Sequence, residues 1–396
     1  MKSINVHSES IGRVGTWALR HSPFLKAWVQ RLAQRYAASA LDSYLRGDLA
    51  AAEADFCEAL KWQPDNPKLH SDLGQVYIER DKVEEAEKQF QKALEYDYKN
   101  LRALKGLGSL LQEKGDSASA MYYYLRYLEL EPKDSLILHN LGAIFHNMGN
   151  YDQALEYYAR ALKEDPDDLL ILKNQALTLI ANRRPSEAKE ILLHAATLDP
   201  EDGTIDRMLA SIFEGENNTE KAFEYYRSAI KKDPDDPETH LQLAFLYTAR
   251  EDPREAAKHA EQAGKLFVEG SDFDGAALAY WQLGWVYYQM GEFDKSLTAS
   301  TQSLRFNPSQ GAVYFNIGLA LLHLGRETEA RKRYEDGIQN LAQISDLKYY
   351  AIDDLQDALE ENPKLKGGWE ILSLLEKKYS ASSKQISAES VTPMPA

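Results

Sequence analysis

Residues 135–168 read SLILHNLGAIFHNMGNYDQALEYYARALKEDPDD. Leu138, Leu141, Gly142 and Phe145 recur three or four residues apart, which places them on one face of a helix. Ala154, Tyr158 and Ala161 do the same in the second half. Gly149 lies between the halves, where a glycine accepts the left-handed turn that ends a helix. Pro166 closes the stretch, because proline cannot continue a helix. These 34 residues therefore spell helix, tight turn, helix and short loop.

The same spelling repeats in both directions. Pro64, Pro132, Pro166, Pro200 and Pro234 are spaced by 34 residues or twice that, and Tyr98 fills the missing slot. With this residue as position 32 of each unit, position 8 is small throughout: Ala40, Gly74, Gly108, Gly142, Ala176, Ala210, Ala244, Gly284 and Gly318. Position 20 is Ala in every unit but one, where it is Ser296, and position 24 is large at Phe56, Phe90, Tyr124, Tyr158, Leu192, Tyr226 and Tyr334. Small residues at 8 and 20 let two helices approach, and the large one at 24 fills the space beside them. A single hairpin cannot bury its apolar face, so neighbours must stack.

This pattern resembles the tetratricopeptide repeat family, with the fullest copy at Leu141-Gly142, Phe145, Gly149, Tyr151, Ala154, Tyr158, Ala161 and Pro166, and the resemblance covers residues 33 to 340. It implies an all-α fold: a right-handed α-solenoid of about nine helical hairpins with capping helices, and a groove that holds a partner's peptide or helix.

Composition narrows the function. A net charge of −16 argues against nucleic acid as the partner, since phosphate binding needs concentrated Lys and Arg. The single cysteine, Cys57, excludes an internal disulfide framework and a Cys-based zinc site, and fits a reducing, cytoplasmic setting. No run of 18 apolar residues exists, and no secretory signal is expected. Nine scattered histidines include His139 and His146, two turns apart, with no Asp or Glu between them. Phosphate-binding loops, nucleophile elbows and paired zinc histidines are missing from the sequence. No catalysis, cofactor or metal is expected.

The expected organisation is an N-terminal basic segment and capping helix at 1–32, repeats 1–7 at 33–270, repeats 8 and 9 at 271–340, capping helices at 341–379 and a disordered tail at 380–396. Repeat 7 lacks its closing proline and six extra residues precede repeat 8, so a break in pitch is expected at 264–276. The N-terminal segment carries Arg13, Arg20, Lys26, Arg31 and Arg35 with no acid between Glu9 and Asp42, and Phe24, Leu25, Trp28, Val29 and Leu32 add an apolar stripe. Two readings stay open for it: a cap on repeat 1, or a membrane-surface contact or targeting segment.

By resemblance, positions 2, 5, 6, 9, 12 and 13 of each first helix face the groove. Arg102, Lys105, His139, Lys173 and Arg207 make a mostly basic line there, which suggests an acidic ligand segment. Asn140, Asn174, Gln242 and Asn316 make a broken ladder of side-chain amides, able to bind a peptide backbone as donor and acceptor. In repeats 7–9 the groove turns aromatic, with Phe245, Trp281 and Trp285. Two occupants stay open for this part: an amphipathic helix of a partner, or the chain's own C-terminal helices. The function expected is an interaction scaffold of the co-chaperone or assembly-factor type. The alternative is a non-catalytic regulatory subunit of an enzyme complex, docked at a membrane through the N-terminal segment.

Overall fold

The computed structural model describes residues 23–341 and 343–389, and every regular element among them is helical. The chain forms two compact units, Met1–Ile191 and Leu192–Ala396. In order, the helices are α1 (Pro23–Leu45), α2 (Leu49–Trp62), α3 (Pro67–Glu79), α4 (Val83–Tyr96), α5 (Leu101–Glu113), α6 (Ser117–Leu128), α7 (Ser135–Asn147), α8 (Tyr151–Glu164), α9 (Leu169–Ala181) and α10 (Pro185–Leu198). There follow α11 (Gly203–Gly215), α12 (Thr219–Lys232), α13 (Pro237–Ala249), α14 (Pro253–Glu269), α15 (Phe273–Gln289), α16 (Phe293–Phe306), α17 (Gly311–His323) and α18 (Glu327–Gln339). The C-terminal part is α19 (Ile344–Leu347), a π-helical turn (Lys348–Asp353), α20 (Asp354–Glu361) and α21 (Gly368–Glu389). Successive helices pair as hairpins, α1/α2 to α7/α8 in the first unit and α11/α12 to α17/α18 in the second.

The slots behave as their chemistry demands. Ala52, Phe56, Ala86, Phe90, Ala120, Tyr124, Ala154 and Tyr158 are all fully buried. A Cβ on Gly142 would sit 2.5 Å from the Tyr158 ring, so only glycine lets that ring lie flat across the first helix. The hairpin turn takes a left-handed residue at position 15 in every repeat, whether Gly stands there, as at Gly115 and Gly149, or not, as at Asp81, Arg183, Asn217 and Glu251 with φ of 57–58°. The turn geometry is thus set by the packing of the two helices, and sequence supplies glycine at some copies only.

The loop after each second helix does a second job. Asn66, Asn100, Asp134, Asp168, Asp202 and Asp236 occupy position 34, and each accepts a backbone N–H at the start of the next first helix.

Two boundaries differ from the sequence reading. The capping helix ending at 32 is continuous with the first helix of repeat 1, as one 23-residue helix, because nothing between Phe24 and Leu45 breaks it. The six extra residues before repeat 8 are taken up by the helices on either side. They lengthen α14 and α15 to 17 residues each, joined by a short turn at residues 270–272. Leu241, Ala263, Phe267, Ala276 and Ala279 form one core across that turn. Helix α21 runs on to Glu389, past the expected start of a tail at 380, since residues 380–389 contain neither Pro nor Gly. Residues 1–22 and 390–396 lie outside the described residues, as do Arg13 and Arg20.

Repeat 7 carries a histidine pair, His259 buried and His240 half-buried. His259 Nδ1–H donates to His240 Nδ1 at 2.8 Å, while His240 Nε2–H donates to the Pro234 carbonyl at 3.0 Å. Burial, the neighbouring His240 and Lys258 push His259 down to about 4. A histidine depressed in the folded state stabilises only above its unfolded pKa. The second unit should therefore lose stability as pH falls from about 6.5 towards 4, by about 1–2 kcal/mol after solvent screening. In His259→Gln that part of the pH dependence should vanish. Urea titrations at a series of pH values would check this, and an unchanged slope in the variant would refute it.

Candidate peptide-binding face

Within each unit, first helices of consecutive repeats pack side by side, and polar residues on them are joined from repeat to repeat. Arg102 pairs with Asp72 of the preceding first helix. Lys105 reaches Asp134 at 3.8 Å, and Arg207 Nε reaches Asp236 at 3.1 Å. Both carboxylates are position-34 helix caps. One row of aspartates thus holds the next helix start and meets the cation of the repeat before it. His139 is not cationic at neutral pH, because burial lowers its pKa against the opposing pull of Asn140 and Asp168, and its Nε2 accepts from Asn174 Nδ2 at 2.7 Å. Arg102, Lys105 and Arg207 of the basic line thus each have a carboxylate partner within the protein. Lys173 lies in the same line, half-buried.

The amides are also engaged. Asn140 Nδ2 donates to the Tyr124 hydroxyl at 3.2 Å, and that hydroxyl donates to Gln112 Oε1 at 3.0 Å. In the second unit Gln282 Nε2 donates to Thr248 Oγ1 at 2.7 Å. Gln242 and Phe245 are half-buried on α13, and Phe245 packs against the core that joins repeats 7 and 8. These side chains tie neighbouring first helices together.

The aromatic part of the face is covered from within. Leu347, Ala351, Ile352, Leu355, Ala358 and Leu359 of the C-terminal segment share one buried cluster with Phe315 and Leu319, and Trp281 and Trp285 pack against it. Trp281 meets Tyr350 edge-on at 6.3 Å between ring centres. Asn316 is buried. Of the two occupants left open by the sequence, the chain's own C-terminal helices are the ones present. Asn316 is thus an interior residue, and Trp281 and Trp285 are half-buried under this cover.

What stays open is a set of residues absent from the sequence-derived candidates. Leu136 and Leu170, at position 2 of α7 and α9, are 47% and 55% exposed, and Leu177, at position 9 of α9, is 47% exposed. They flank His139, Asn140 and Asn174. Their signal was available, since leucine at two solvent-facing slots of consecutive repeats needs a reason.

A series of two-helix units repeated at a fixed period defines a helical repeat scaffold. Five family models described as tetratricopeptide repeat match residues 44–111, 101–134, 135–168, 173–237 with 281–343, and 235–309. The chain belongs to the tetratricopeptide repeat family. No curated protein matches it. Among solved structures it is similar to a tetratricopeptide repeat protein of Parabacteroides merdae, with 18% identity and a TM-score of 0.51 over 63% of this chain and 99% of that one. It is also similar to PilF of Pseudomonas aeruginosa, with 21% identity and a TM-score of 0.44 over 52% and 94%. A MamA fragment of Desulfovibrio magneticus gives 21% identity and a TM-score of 0.39 over 43% and 96%. At these identities the first likeness speaks for the fold alone.

Among the described residues, no group of three or more His, Cys, Asp and Glu could hold a metal ion, and no helix is long and apolar enough to cross a membrane.

Proposed function

We propose that this chain is a non-catalytic scaffold that binds an amphipathic helix of a protein partner on the first-helix face of repeats 4 and 5. The observation that carries this reading is the exposure of Leu136, Leu170 and Leu177 among polar groups that are already hydrogen-bonded. A helix with apolar residues three, four and seven apart would cover all three leucines. The fixed amides around them would give orientation and little net attraction. This favours the amphipathic ligand over the acidic one, since the cations at Lys105 and Arg207 already have carboxylate partners. A co-chaperone or assembly-factor role in the cytoplasm fits such a surface.

The test is selection of binders from a displayed peptide library on the full-length chain. Selected peptides should carry leucine-sized residues at helical spacing. Leu170→Asp with Leu177→Asp should weaken them at least about tenfold, because each buried apolar side chain is worth about 1.5–3 kcal/mol. Lys105→Glu should weaken them much less. Uniformly acidic selected peptides without that spacing, or full retention by the leucine variant, would refute the reading.

A further inference from the structure

We infer that α1 docks the chain onto an anionic lipid surface through a stripe of Phe24, Trp28, Arg31 and Arg35. Steps of four, three and four residues place these side chains on one face of the helix. All four are exposed, Phe24 at 79% and Trp28 at 45%. The Trp28 indole meets Trp62 of α2 edge-on at 5.6 Å, which holds it at the end of the first hairpin with part of the ring open to solvent.

The charge pattern around this stripe is one-sided, with no Asp or Glu on α1 before Asp42. Among the described residues, Lys26, Arg31 and Arg35 take part in no ion pair. The cations nearest to them along the first hairpin are neutralised, Arg46 by Asp42 at 2.7 Å and Lys61 by Glu58 at 2.5 Å. The carboxylate on the neighbouring helix nearest to Trp62 in sequence, Glu58, is thus already held by Lys61. A chain of net charge −16 thus carries a locally positive, acid-free stretch in α1, with unpaired guanidinium groups beside exposed rings.

Cations and aromatic rings on one stripe match the boundary of an anionic bilayer. Rings of Phe and Trp settle between headgroups and acyl chains, while guanidinium groups reach lipid phosphates bidentately. Trp favours that boundary because its ring is apolar and its N–H is polar. The stripe is separate from the leucines of repeats 4 and 5, so the inference is independent of the groove reading.

The experiment is flotation of the full-length chain with phosphatidylcholine vesicles, with and without roughly 30 mol% phosphatidylserine. The wild-type chain should float with the anionic vesicles at about 50 mM salt and less at about 300 mM, as screening of the lipid charge requires. Arg31→Glu with Arg35→Glu should lower partitioning at least about tenfold, given that each cation near such a surface contributes about fivefold. Phe24→Ser with Trp28→Ser should lower it as well, and Arg31→Lys with Arg35→Lys should largely keep it. Unchanged circular dichroism and melting temperature would show that the variants fold. The inference is overturned if the wild-type chain fails to float at low salt, if neutral vesicles bind it equally, or if the glutamate variant floats undiminished. Retention on heparin without vesicle binding would also overturn it, in favour of a non-lipid polyanion.

Discussion

Replacing Tyr158 with alanine should destabilise the first unit by about 3–5 kcal/mol, the cost of a large cavity in a close-packed core. The ring is 1% exposed, and burial pushes its hydroxyl up to about 12. It lies across Gly142, and its other neighbours include His139, 5.8 Å away between ring centres. The pairing of a bare glycine with a buried ring gives a sharper result than the single variant. Gly142→Ala alone should cost about 1–3 kcal/mol, because its Cβ would fall 2.5 Å from the Tyr158 ring and force an overpacked shift. Once Tyr158→Ala has removed the ring, the same Gly142→Ala change should be neutral or stabilising by up to about 1 kcal/mol, from helix propensity. The coupling in this double-mutant cycle should therefore exceed about 1 kcal/mol. Repeat arrays unfold in pieces, so hydrogen exchange of amides in α7 and α8 is the measurement, rather than one global melt. Additive effects within about 0.5 kcal/mol would mean that the glycine and the ring do not constrain each other.

This coupling also explains what the sequence could disclose. Gly142 and Tyr158 sit in the same two slots as Gly74 with Phe90, Gly108 with Tyr124 and Gly318 with Tyr334. A contact that recurs at fixed spacing leaves a period, and the period reveals the hairpins. The face between hairpins leaves a weaker mark. Lys105 reads as a free cation until Asp134 is seen beside it, although the row of Asn and Asp at position 34 is itself periodic and could be paired with position 5 by inspection. The C-terminal cover on Trp281 and Trp285 leaves no such mark. Its apolar residues Leu347, Ala351, Ile352 and Leu355 belong to no repeat, and the π-helical turn at Lys348–Asp353 shifts their spacing away from a regular helical stripe.

That cover should prove to be a structural cap whose loss is costly. A repeat array ends with an apolar face that has no following repeat, and α19 to α21 supply the missing surface. Leu355 is fully buried in the cluster that also holds Phe315 and Leu319. Leu355→Asp would place a carboxylate there with no cation to meet it, which should cost more than about 4 kcal/mol and release the segment from α15 and α17. Trp281 and Trp285 would then be wetted, so tryptophan emission should shift to the red, and the exposed face should drive association at micromolar concentration. Asp354 offers a milder handle on the same contact. Burial, with Asp357 and Asp353 nearby, raises its carboxyl to about 6. A carboxyl raised in the folded state favours folding while protonated, so the cap should weaken as pH rises from about 4 to 6 and stay weaker above. Asp354→Asn should therefore stabilise the cap at pH 7 by about 1–2 kcal/mol after screening, and should have little effect at pH 4. Stabilisation of equal size at both pH values would mean that ionisation of Asp354 is not what opposes the cap. If Leu355→Asp left emission and association unchanged, the C-terminal helices would not be what keeps the aromatic face of repeats 8 and 9 closed.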